Sequence, residues 1–275
     1  MSKLYDVGQY DVLIQGGGPS GILEAVRQRK LGKRVLLIEG RSGLLWQVAR
    51  ARQGELTAVD NKNDPTTTLL LDFLKEFQAI RAGKLESSYS EIAADQWLIS
   101  HDVQVLFQAK LLQTDGDIAT IALKGKVGTT KVHEVIDMRE LVNSGHNIDC
   151  TKHPYSIWTL TLLNVPIDQD VYSELDIQGR KLQIRLRSSY HPSDTMVDIA
   201  FSNSEASQSP IELLFANDIP TIVTSIRTQR AEWSEAKMIS MCDEPWIPEQ
   251  QDPFRDTSGQ KFWRHATNQF NSLFR

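Results

Sequence analysis

The sequence predicts an α/β fold: a parallel sheet begun by a βαβ unit, with an inserted β-rich second domain. Three observations carry this. Residues 10–41 follow the order strand, glycine-rich turn, helix, glycine, strand. From Tyr155 onward, runs of alternating apolar and polar residues replace helical spacing, the signature of half-buried strands. The balance of 40% hydrophobic and 24% charged residues over 275 residues is that of a globular chain able to bury a substantial core.

Asp11-Val-Leu-Ile-Gln15 is a short apolar run suited to a fully buried parallel strand. It enters Gly16-Gly-Gly-Pro-Ser-Gly21, in which Gly16, Gly18 and Gly21 fill G-x-G-x-x-G. Gly16 permits the tight turn, Gly18 allows close approach of a pyrophosphate, and Gly21 lets the following helix pack on the strand. With Pro19 and Ser20, these residues place backbone N–H groups and the positive end of the helix dipole where phosphates bind. The helix is expected from about Ser20 to Leu31, ended by Gly32, with the basic residues Arg27 to Arg34 on its solvated face and last turn. Val35-Leu-Leu-Ile38 is the second strand. Glu39 at its carboxyl end is positioned to accept hydrogen bonds from an adenosine ribose and to repel the extra phosphate of NADP. Together these elements predict a Rossmann-type dinucleotide site.

Further along, a helix is expected from Thr66–Thr68 to about Ile80 and another from Tyr89 to Ser100, then a strand from Val103 to Phe107. Asp115-Gly-Asp117 predicts a hairpin turn, with Ile118–Leu123 and Lys131–Ile136 as partner strands. Leu182–Arg187 alternates cleanly, and Val197, Ile199 and Phe201 predict another strand. Ile211–Ala216 reads as helix and Thr221–Ile226 as strand. Ser258 begins an expected terminal helix with Phe262, Trp263, Phe270 and Phe274 on one face. The domain expectation is 1–150 for the Rossmann-type unit, 151–230 for the β-rich unit, and 231–275 for an extended segment and helix returning to the first.

Net charge and cysteine usage exclude some classes. The formal charge of −5 with scattered basic residues gives no footprint for nucleic acid or an anionic membrane. Cys150 and Cys242 lack C-x-x-C spacing, and His146–His153 lacks the spacing of a structural zinc site. No signal-type or membrane-spanning run is visible, so a cytoplasmic protein is expected, with a homo- or hetero-oligomer left open.

Tyr10–Gly21, Ala25, Gly32 and Val35–Glu39 resemble the N-terminus of FAD-dependent oxidoreductases of the glutathione-reductase type. The resemblance implies that this unit holds the ADP half of FAD through Gly16, Gly18, Pro19, Ser20, Gly21, Glu39, Gly40 and Arg41. It also implies that Leu111 lies near the adenine, and that a small organic substrate meets the β-rich domain. It favours FAD over NAD because the unit stands at the chain start and its acidic residue is glutamate. The chain departs from the family at Met138-Arg-Glu140, where small residues are usual, and has no Gly-Asp pair after residue 200. These departures keep open a non-catalytic or hetero-oligomeric relative and, behind it, an NAD-binding dehydrogenase. Arg185, Arg187, Tyr190 and His191 are candidate substrate contacts, the arginines being read first as the solvated face of an amphipathic strand.

Overall fold

The computed structural model describes residues 4–54, 65–139, 154–203, 211–243, 245–246 and 254. The helix expected after Ser258 and the His146–His153 loop lie outside these residues.

The first sheet is built around β1 (Tyr5–Gln15) and β2 (Val35–Glu39), which pair in parallel and are joined by α1 (Pro19–Lys30). Beyond β2 lies β5 (Gln104–Phe107), and on the other flank of β1 lies β8 (Lys126–Asp137), both parallel to their neighbours. A meander of β6 (Lys110–Asp115), β7 (Ile118–Leu123) and β8 completes the order β5-β2-β1-β8-β7-β6. Alternation within β1 and β2 explains why both strands read as continuous apolar runs. Val12, Ile14, Val35 and Leu37 face a core shared with the helices. Leu13, Leu36 and Ile38 face the meander, where they meet Ala119, Ile121 and Val132. Both faces are covered, so no polar alternation survives.

The helices agree with the local rules that predict them. Pro19 occupies the first turn of α1, its last turn is basic, and Gly32 takes φ +82° just beyond. The basic run is less solvated than expected. Arg27 pairs with Glu24, which is itself buried, and Arg29 donates to the Lys33 carbonyl at 2.7 Å and pairs with Asp102. Helix α2 (Trp46–Ala49) is a single turn. Helix α3 (Pro65–Glu76) stops before Ile80, because Gln78 takes a left-handed φ of +57° and the chain enters a small hairpin of β3 (Ile80–Arg81) and β4 (Lys84–Leu85). In α4 (Ser87–Ser100) the Glu86 carboxylate caps the first turn by accepting from the Tyr89 N–H at 2.6 Å.

The second sheet is antiparallel throughout, in the order β10 (Val171–Ile177), β11 (Arg180–Ser188), β12 (Asp194–Ser202), β9 (Tyr155–Leu163), β13 (Lys237–Met241). Strand β13 therefore joins this sheet at its edge. One face packs on α5 (Ile211–Gln229), where Phe215 stacks on Trp158 at 4.6 Å and meets Phe201 edge-on. Thr221–Ile226, expected as a strand, is part of α5. Its β-branched composition favours a strand, but Ile222, Val223 and Ile226 fall on one helical face and are buried in the core cluster of the second sheet. Tertiary burial outweighs local preference. The result is an α/β fold with a largely parallel sheet beside an antiparallel one. No helix among the described residues is long and apolar enough to cross a membrane.

Candidate functional site

The carboxyl ends of β2, β1 and β8 lie side by side, and the candidate nucleotide site is built there. Gly16 leaves β1 at φ +116°, a region open to glycine. A Cβ on Gly21 would stand 1.8 Å from the Gly16 carbonyl oxygen, so the close packing of helix on turn requires glycine. Gly18 is the N-cap of α1, Pro19 and Ser20 are buried in its first turn, and the Ser20 hydroxyl has no hydrogen-bond partner among the described residues.

Glu39 is 5% exposed and its carboxylate holds the turn directly. One oxygen accepts from the Gly17 N–H at 2.6 Å and the other from the Arg41 N–H at 2.8 Å. A carboxylate offers about four acceptor positions, so two backbone bonds leave capacity for a diol. Gly17 was not among the glycines singled out by the motif, yet it has a role: a Cβ there would press on Leu44 and on the Glu39 carboxylate. Leu44 and Leu45 fold over the turn, with the Leu45 N–H donating to the Gly17 carbonyl at 3.0 Å. Arg41 lies 3.9 Å from the Glu39 carboxylate and over the Trp46 ring at 4.1 Å. Gly40 is exposed, with open space where a Cβ would stand.

Leu111 lies in β6, two residues beyond Ala109. It pairs with Ile121 in the meander and packs on that core. The residues that reach the end of β2 are Gln108 and Ala109, whose N–H groups donate to the carbonyls of Arg41 and Glu39 at 2.9 Å each. Gln108 has φ +52°, and this break separates β5 from β6.

Beyond Glu39 the chain passes through α2 and crosses to the second sheet as Arg50–Gln53. That sheet's inner face carries Thr159, Asp198, Arg185 and Arg187, brought together by register: Thr159 opposite Asp198, and Asp198 opposite Arg185. The two arginines are not on a solvated face, as first expected. Arg187 is 2% and Asp198 0% exposed. Burial is tolerated because the charges are paired and hydrogen-bonded. Arg187 donates to Asp198 at 2.7 and 3.1 Å and to the Arg52 carbonyl at 2.8 Å. Thr159 donates to Asp198 at 2.7 Å, and Gln53 donates to Thr159 at 3.2 Å. Arg185 pairs with Asp170 at 2.5 Å. Burial raises the pKa of Asp198, but Arg187 first, with Arg185 and Thr159, outweighs it and holds the carboxyl below its usual range. Tyr190 donates to the Gln78 carbonyl at 2.6 Å, and His191 lies on an exposed turn beside it. Among the described residues, no hydrogen bond joins Tyr190 or His191 to the glycine turn.

The residues present suit the adenosine diphosphate half of a dinucleotide. A buried carboxylate with spare acceptor capacity lies beside a glycine turn at a helix N-terminus, with an unsatisfied hydroxyl in that helix's first turn. The described residues contain no group of three or more His, Cys, Asp or Glu side chains able to hold a metal.

No family model matches the sequence, and no curated protein matches it. Solved structures do resemble the fold. A geranylgeranyl bacteriochlorophyll reductase-like protein from Thermoplasma acidophilum matches 87% of this chain and 66% of its own, at 16% identity and a TM-score of 0.57. A flavoprotein/dehydrogenase from Cytophaga hutchinsonii matches the same shares at 13% identity and a TM-score of 0.54. CndH, a myxobacterial FAD-dependent halogenase, matches 94% of this chain and 73% of its own, at 12% identity and a TM-score of 0.53. The chain thus spans 66% of the length of the first two. At such identities the likeness is one of fold: the chain shares the α/β architecture of these structures.

Proposed function

We propose that the chain is an FAD-dependent oxidoreductase acting on a small organic substrate. The observation that carries this reading is the Glu39 carboxylate, buried at the end of β2 and bonded to Gly17 of the glycine turn. Glu39 would hold the adenosine ribose, and the N–H groups of the turn and of the first residues of α1 would hold the pyrophosphate. FAD supplies the redox chemistry when bound. The chain's own residues bind and orient it, and the inner face of the second sheet, with Arg185 and Arg187, bounds the region beyond α2 where a substrate would lie. A non-catalytic relative that keeps only nucleotide binding is the second reading, favoured by the tight packing of Met138 and Arg139 against Gly16.

Titration calorimetry with ADP, FAD and NAD tests the placement. Hydrogen bonds to a charged group are worth about 1.5–3 kcal/mol, so Glu39→Ala should weaken each nucleotide roughly ten- to hundredfold. Unchanged affinity would remove the ribose from Glu39. Tight ADP binding without retention of FAD would favour the non-catalytic reading.

A further inference from the structure

Resting on the nucleotide reading of this site, we propose that Arg139 is a phosphate-binding residue of this chain, contacting the phosphate farther from the adenosine. The strand order β2-β1-β8 presents Glu39, the glycine turn and Arg139 in sequence along one sheet edge. Neighbouring strands are about 4.8 Å apart, so β2 and β8 are separated by roughly 10 Å, a gap that a nucleoside diphosphate bridges. A ligand whose ribose sits at Glu39 and whose phosphates cross the turn arrives next at the end of β8.

Arg139 is held at that place. Its backbone nitrogen lies 2.9 Å from where a Gly16 Cβ would stand. With the Gln15 amide oriented to accept, the Gln15 oxygen lies 2.8 Å from Arg139 Nη1. Arg139 Nε and Nη2 donate to Asp137 at 2.9 and 2.5 Å. These contacts fix the guanidinium over the ends of β1 and β8. A guanidinium has five donors, and the side chain is 45% exposed, so donors remain for a phosphate in the fork geometry arginine favours. The unsatisfied, buried Ser20 hydroxyl in the first turn of α1 is a second polar group near the same turn.

Adenosine and ADP, titrated separately into the full chain, test this. Arg139→Ala should weaken ADP about tenfold or more and leave adenosine within twofold. Arg139→Lys, which keeps the charge but loses the fork, should fall between wild type and Ala for ADP. Equal ADP affinity in wild type and Arg139→Ala overturns the proposal, and so does a parallel loss of adenosine and ADP in both variants. Wild-type protein that binds neither ligand overturns the nucleotide reading itself, whereas wild-type binding with an indifferent Arg139 overturns this inference alone.

Discussion

Asp198→Ala should lower the free energy of unfolding by about 3–5 kcal/mol, the usual effect of removing one partner of a buried ion pair. Asp198 and Arg187 are 0% and 2% exposed. Alanine would remove the buried carboxylate to which Arg187 donates at 2.7 and 3.1 Å, and would leave Thr159 without the acceptor it now has at 2.7 Å. Urea unfolding followed by tryptophan fluorescence reads the change as a shift in midpoint at constant slope. Replacing both partners by apolar residues of similar volume should recover most of the loss, since both buried charges are then removed together. A loss below about 1 kcal/mol in Asp198→Ala would contradict the buried network. The same group sets an acid limit. Its folded pKa lies below the unfolded value near 3.9, so its contribution is full above the unfolded value and fades as pH falls through the folded one. The wild type should lose stability in that acid window, and Asp198→Ala should lose less of what it has there.

Gly21→Ala should both destabilise the protein, by about 1–3 kcal/mol as overpacking does, and weaken ADP binding by at least about tenfold. The added Cβ would stand 1.8 Å from the Gly16 carbonyl oxygen and 2.9 Å from its carbon. Both are backbone atoms in a turn tied to β2 by the Gly16 N–H to Ile38 carbonyl bond at 2.9 Å, so no side chain can swing aside. The start of α1 must move away from β1, carrying with it the N–H groups proposed to hold the pyrophosphate. Thermal unfolding and ADP titration on the same sample measure both effects. A variant with wild-type stability and affinity would show that the turn is looser than its geometry here.

How much of this could be read beforehand depended on the range of the interactions. The β1–α1–β2 unit was legible because each determinant acts within a few residues: the apolar run, the glycines, the Gly32 stop and Glu39. The Asp115-Gly116 hairpin and the alternation of β11 were legible for the same reason. The burial of Arg185 and Arg187 was not. An alternating strand is compatible with a polar face in water or with one that meets buried counter-charges, and Asp198 becomes a neighbour only through the register of β11 with β12. The docking of Gln53 on Thr159, 106 residues apart, has no local signal. Thr221–Ile226 was misread because its β-branched residues carry two periodicities, and only the second sheet selects the helical one. Met138-Arg-Glu140 stood out as a departure, but the position of Arg139 at the end of β8 required the strand order.

If the glycine turn and Glu39 hold the ADP half of FAD, the purified protein should retain flavin after incubation with excess FAD and removal of unbound ligand. Its visible absorption spectrum should then show flavin in proportion to protein, and less in Glu39→Ala. A protein that emerges colourless would contradict this placement.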